Sequence, residues 1–231
     1  MKPEDFVPSF KREERRTCIY DRVFFVPLTL HNQPKSDFVF PGWEHPDLFG
    51  NTNPVYIEYC SGNGAWIADR AAKNPNINWV GVERKFDRVR KLWSKVKNHK
   101  LNNMIVLCGE ALNATQLYFP TNSVQAVYIN FPDPWPKNRH AKNRLIQPSF
   151  TNEIWRILQA DCPLTFVTDD PPYSAWFIEE IQAQKGFASK YPDPFYVTNI
   201  DGYGESYFEQ LWRSKGRTIY THEFKKIEHK R

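Results

Sequence analysis

Residues 55 to 74 read VYIEYCSGNGAWIADRAAKN. The first six are a short apolar run rich in β-branched and aromatic residues, the texture of a buried strand. Gly62 and Gly64 then permit a tight turn and a close approach of backbone to a ligand, and AWIADRAAKN returns to a helical pattern. A strand, a glycine turn and a helix in that order open a parallel α/β unit.

The alternation continues along the chain. The runs NWVGVE (78 to 83), NMIVLCGE (103 to 110), VQAVYINF (124 to 131) and PLTFVTDD (163 to 170) are separated or followed by helix-like stretches such as FDRVRKLWSKVKNHK, RLIQPSFTNEIWRILQ and PYSAWFIEEIQAQK. Strands alternating with helices of this length predict an α/β fold, a mostly parallel sheet with helices on both faces. Residues 1 to 50 are rich in charge and proline without a sustained period, which predicts an irregular N-terminal extension before a main domain over 51–231.

A chain of 231 residues, 41% apolar and 16% aromatic, is long enough for one large domain. The net charge of +5 permits a polyanionic partner without demanding one. Cys18, Cys60, Cys108 and Cys162 stand far apart, with no CxxC pair and no His at ligand spacing. That spacing predicts reduced thiols, no metal site and no disulfide framework. No apolar stretch reaches the length of a membrane span, and the start MKPEDFVPSFKREERRT lacks a signal-peptide core. The expectation is a cytoplasmic protein.

In an open α/β sheet, ligands collect outside the carboxyl ends of the strands. The glycine turn fails the dinucleotide fingerprint, because Trp66 and Ile67 stand where the third glycine belongs. The strand ends nevertheless repeat one chemistry. Glu58 precedes the turn, Glu83 follows it by about 20 residues, where an acid takes ribose hydroxyls, and Glu110, Asp133, Asp169 and Asp170 end the later runs. Any one such acid is more often a helix N-cap or a solvated loop residue than a ligand. Together they would repel phosphate and hold a ribose and a positive centre, a description that fits S-adenosylmethionine.

The run NFPDPWPKNRH (130 to 140) places prolines at 132, 134 and 136 around one acid. Each proline fixes φ at about −65° and restricts its predecessor, predicting Phe131, Asp133 and Trp135 extended and the Asp133 carboxylate held in one place. The residues alone leave a second reading open, a rigid edge turn with Trp135 plugging the core.

The longer run FPDPWPKNRHAKNR resembles the signature of the bacterial tRNA (guanine-N7-)-methyltransferases, the TrmB family, and the likeness extends from about Trp43 to the C-terminus. The resemblance implies a Rossmann-like class I S-adenosylmethionine-dependent methyltransferase fold and methyl transfer to N7 of a guanine in tRNA, the variable-loop guanine at position 46. It implies cofactor contacts at Glu58, Gly62, Gly64, Glu83, Glu110 and Asp133, with Asp133 also the catalytic acid. Lys137 and Asp169 match substrate-binding positions, and Arg139, His140, Lys142 and Arg144 match an RNA-contacting region. Ser206-Tyr207-Phe208-Glu209 resembles the family's Thr-x-x-Glu substrate motif, with Ser206 keeping the hydroxyl. The family loop is usually E-x-G-x-G-x-G; here Cys60 replaces the first glycine, which a small thiol tolerates if φ stays negative.

The helix-like stretch from Lys85 to Lys100 could add a second basic patch, although a lysine-rich outer face is ordinary. Two rivals remain at this level: a methyltransferase acting on another nucleic-acid nitrogen, and a tRNA-binding protein of the same fold with little or no turnover. The sequence leaves monomer and homodimer equally open.

Overall fold

Residues Met1–Pro120 form one structural unit and Thr121–Arg231 a second; the computed structural model describes residues 1–11, 14, 16–27, 37–201, 203 and 207–228. In the first unit, β1 (Cys18–Tyr20), β2 (Val23–Val26), β3 (Val55–Tyr59), β4 (Asn78–Glu83) and β5 (Met104–Gly109) are ordered β1-β2-β5-β4-β3. β1 and β2 are an antiparallel hairpin, and β2, β5, β4 and β3 run parallel. Every residue of β2 and β4 is buried, the near-continuous apolar texture of strands covered on two faces.

The helices are α1 (Ala65–Lys73), α2 (Phe86–Asn98) and α3 (Ala111–Tyr118). α2 buries Val89, Leu92, Trp93 and Val96, one face at i, i+3, i+4 and i+7, and leaves its lysines outside. A Cβ on Gly64, the N-cap of α1, would lie 2.3 Å from Leu92 Cδ2, so this glycine lets α2 approach the turn.

The first fifty residues depart from the irregular extension predicted for them. Residues 18–26 contribute two strands, and β2 pairs with β5 from Val23↔Val106 to Val26↔Gly109. The hairpin turns on Asp21 and Arg22 at φ 43° and 68°, the left-handed pair that matches strand twist. Arg22 secures the turn by donating to the carbonyls of Leu48, Asn102 and, at 3.0 Å, Met104. Phe6 is 1% exposed, its ring 6.2 Å from Phe25 and 4.9 Å from Trp93. Strands of three and four residues carry too few positions to show a period, which is why the charged flanks dominated the sequence pattern.

The second unit contains β6 (Ala126–Asn130), α4 (Pro148–Ile157), β7 (Pro163–Thr168), α5 (Pro171–Ala183), β8 (Phe187–Ser189), β9 (Val197–Thr198), α6 (Tyr207–Ser214) and β10 (Tyr220–Lys226). Its strands are ordered β6-β7-β10-β8, with β9 also on β10. β6 and β7 are parallel, whereas β10 is antiparallel to β7, β8 and β9. Both α4 and α5 begin with proline, whose missing N–H costs nothing in a first turn. The core stacks Phe166 on Phe177 at 4.3 Å, with Phe224 and His222 against Phe177. Among the described residues no helix is long and apolar enough to cross a membrane, and no group of His, Cys, Asp and Glu is arranged to hold a metal ion.

Candidate active site

Because β3, β4 and β5 are parallel neighbours, their carboxyl ends share one edge of the first unit. Glu58 lies one residue before the end of β3, Glu83 is the last residue of β4, and Glu110 follows β5 directly. Glu58 is 2% exposed and Glu83 7%. The glycine turn leaves β3 at this same edge. Gly62 and Gly64 have φ of 56° and 73°, and Cys60 has φ of 61°. The condition under which a thiol fits at Cys60, a negative φ, is not met: the position is left-handed, a conformation that favours glycine and strains a residue with a side chain.

Glu83 ties the turn to the next helix. Its Oε2 accepts from the Gly62 N–H at 3.1 Å, and its Oε1 accepts from the N–H groups of Arg84 and Lys85, each at 2.9 Å. The Arg88 guanidinium lies 3.7 Å from Oε2. Glu110 caps α3, accepting from the N–H groups of Leu112 at 3.1 Å and Asn113 at 2.7 Å. The acids at this edge thus organise backbone as well as set its charge. Lys97 of α2 is committed to Asp21 at 2.5 Å, while Lys91 of the same helix and the flanking Lys85 and Lys100 are exposed.

In the second unit, β6 and β7 are parallel, so Asp133 and Asp169 both follow strands that end at one edge. Phe131 and Trp135 have φ of 48° and 46°. The expectation that all three residues before the prolines would be extended fails at these two. Their left-handed backbone, of the kind that costs of order 1–3 kcal/mol per residue, lies on either side of Asp133. The Phe131 N–H is held by the Val167 carbonyl at 2.8 Å. Asp133 is exposed, and Trp135 is half-buried with its ring 5.8 Å from His140 in an edge-on contact, so Trp135 does not plug the core.

Lys137, Arg139 and Lys142 are exposed and His140 is half-buried, all in or beside the short helical turn Asn138–Asn143. Arg144 differs: it is 9% exposed, and its Nε–H donates to the Pro134 carbonyl at 2.9 Å. Its guanidinium lies over Tyr173 and Trp176 of α5, 5.5 and 4.9 Å from the ring centres. This residue faces inward, onto the proline loop and α5.

Two further acids each carry an arginine that the sequence pattern did not bring forward. Asp169 accepts from Arg217, whose guanidinium also lies 4.2 Å from the ring centre of Trp212. Glu209, 6% exposed, accepts from Arg213 Nε at 3.0 Å and from its terminal nitrogen at 2.9 Å. The i,i+4 spacing of Glu209 and Arg213 was a readable signal; the Asp169–Arg217 pair had none. Asn130, at the end of β6, accepts from the Tyr203 hydroxyl at 2.8 Å. Asp170 is the N-cap of α5, accepting from the Tyr173 N–H at 2.8 Å. Ser206 lies outside the described residues.

The family model Methyltransf_4, described as "Putative methyltransferase", matches residues 52–222. The chain is 46% identical over 228 residues to the tRNA (guanine-N(7)-)-methyltransferase of Chlamydia muridarum, with 98% of each chain covered. It is 43% identical over 226 residues to the protein of the same name from Chlamydia abortus, again with 98% of each covered. Among solved structures it resembles the antibiotic-resistance methyltransferase Kmr, at 18% identity and a TM-score of 0.52 over 76% of this chain and 88% of that one. That likeness shows the fold, a Rossmann-like class I methyltransferase fold with a mixed sheet. Matched along nearly its whole length, the chain belongs to the tRNA (guanine-N7-)-methyltransferase family, TrmB.

Proposed function

We propose that this protein transfers the methyl group of S-adenosylmethionine to N7 of a guanine in tRNA, the variable-loop guanine at position 46, forming 7-methylguanosine. The observation that carries the reading is the row of carboxylates Glu58, Glu83 and Glu110 along one edge of three adjacent parallel strands, beside a turn of left-handed glycines. Carboxylates at that edge, Glu58 and Glu83 buried and Glu110 half-buried, suit a ligand with a positive centre and ribose hydroxyls, and they disfavour one presenting phosphates.

S-adenosylmethionine, when bound, supplies a methyl carbon made electrophilic by its sulfonium. Glu58, Gly62, Gly64, Glu83 and Glu110 would hold it, with Asp133. A carboxylate offers roughly four acceptor positions. Glu83 gives three of them to backbone N–H groups, so its part in ribose binding uses the remaining one.

Guanine N7 carries an in-plane lone pair and needs no proton removed before it reacts. The protein's task is therefore alignment, exclusion of other nucleophiles and stabilisation of the charge that the purine ring acquires. Asp133 accepts from guanine N1–H and N2–H2, orienting the base, and this interaction strengthens as the ring becomes cationic. Asp169 and Glu209 assist, each held in place by its arginine partner. Lys137 and the Ser206 hydroxyl complete the substrate contacts. The target base must be exposed or turned out of its stack, which requires a grip on the flanking backbone. Arg139, His140 and Lys142 offer that grip. The working form is a monomer or homodimer in the cytoplasm.

The test is incubation with S-adenosylmethionine and unmodified tRNA, followed by borohydride and aniline, which cleave RNA at 7-methylguanosine. One new break in the variable loop is expected. A break elsewhere overturns the position, and intact RNA from protein that binds both cofactor and tRNA overturns the activity in favour of a binding protein.

A further inference from the structure

The proline loop has an unusual shortage of handles. Residues Pro132, Pro134 and Pro136 lack a backbone N–H, so at every second residue of the loop the backbone can be held only by its carbonyl. Phe131 and Trp135 add left-handed backbone at either side of Asp133, and a conformation of that kind persists only where its surroundings enforce it. Arg144 grips the Pro134 carbonyl, one residue beyond Asp133, at 2.9 Å.

Arg144 is itself held on several sides. Its guanidinium rests on Tyr173 and Trp176, which lie at i and i+3 on one face of α5. The Trp176 indole N–H donates to the Ile146 carbonyl at 2.8 Å, and the Gln147 amide donates to the Ala141 carbonyl at 2.9 Å. The backbone N–H of Arg144 donates to the Ala141 carbonyl at 3.0 Å. A planar guanidinium stacked on aromatic rings is pre-organised in a way that a lysine ammonium is not.

We propose that Arg144 is a positioning residue: it fixes the carbonyl of Pro134, and through it the Asp133 carboxylate, and makes no contact with RNA phosphate. The proposal rests on the reading of Asp133 as the residue that meets the guanine. A displacement of about 1 Å at a reacting group can cost about 10²-fold in rate, so losing the anchor lowers turnover without weakening the grip on tRNA.

The test uses the full chain carrying Arg144→Lys, which keeps the positive charge, and Arg144→Met, which keeps packing volume. Both variants should lose about 10²-fold in kcat, with tRNA Kd and its salt dependence unchanged. Amide hydrogen exchange of Phe131, whose N–H is held by the Val167 carbonyl at 2.8 Å, should speed up in both, while that of α5 stays as in the parent. Trp176→Leu, which leaves Arg144 in place and removes one ring beneath it, should show a smaller change of the same kind and serves if the Arg144 variants do not fold. A weaker tRNA affinity in Arg144→Met, with a salt slope reduced by about 0.9 and rescue by Arg144→Lys, overturns the proposal and makes Arg144 a phosphate contact. Parent-like kcat and parent-like exchange also overturn it. If the parent itself transfers no methyl group, the functional reading fails, and the exchange measurement still decides whether Arg144 orders the loop.

Discussion

Cys60→Gly should make this protein more stable, although it removes a side chain. The residue sits at φ 61°, where a side chain brings Cβ against the following carbonyl at a cost of roughly 1–2 kcal/mol. Glycine removes that repulsion but has more freedom to lose on folding, roughly 0.5–1 kcal/mol. The difference is a net gain of about 0.5–1 kcal/mol, and for a chain of this size about 1–4 °C in Tm. Cys60→Ala separates the contributions, because alanine keeps the strained Cβ and removes only the sulfur, so any contact of the thiol registers there. Thermal melts and urea titrations of parent, Ala and Gly forms should rank Gly highest, with Gly above Ala by about 1 kcal/mol. A Gly form no more stable than the Ala form would falsify the assignment of strain to this turn.

Gly64→Ala should act in the opposite sense, since its Cβ would meet Leu92 at 2.3 Å at a φ of 73°; a loss of about 2 kcal/mol is expected in urea unfolding. Arg213→Ala removes an ion-pair partner from Glu209, 6% exposed, and should cost about 2 kcal/mol because the arginine is partly solvated. Adding Glu209→Gln to that variant should recover part of the loss, and strict additivity of the two would refute the pairing. His222 is pushed down to about 4 from 6.5 by burial, against the opposing effect of its bond to the Phe195 carbonyl. The unfolded chain therefore takes up the proton first. Stability from this residue is complete above pH 6.5 and declines as pH falls toward 4, by up to about 3 kcal/mol, which urea midpoints across that range will show and His222→Gln should flatten. Asp133→Asn should lose most of kcat while still binding tRNA; normal turnover by that variant removes Asp133 from the chemistry.

How much of this was legible in the sequence depends on how local each feature is. NWVGVE is a strand over the residues read, Asn78–Glu83, because a fully buried parallel strand announces itself by an unbroken apolar run. The helix from Phe86 was readable from its 3.6-residue apolar spacing. The hairpin of β1 and β2 was not, since its order comes from Arg22 and from β5, which lies far along the chain. In the site, the acids at strand ends were visible. The reversed φ at Phe131 and Trp135 was hidden because the rule for residues before proline is a local preference, and the anchoring contact from Arg144 is not local. Arg144 itself looked like one more cation in a basic run, and only α5, some thirty residues later, turns it inward.

The hairpin also constrains how the chain is made. Val23 pairs with Tyr20 on one side and with Val106 on the other, so an emerging polypeptide carries the apolar strand VFFV with one edge unpaired until β5 has been synthesised. Until then Phe24 and Phe25 are open to other strands, including those of neighbouring nascent chains. Slowing synthesis between Val26 and Met104 should therefore lower the yield of correctly folded protein more than the same delay placed after Gly109.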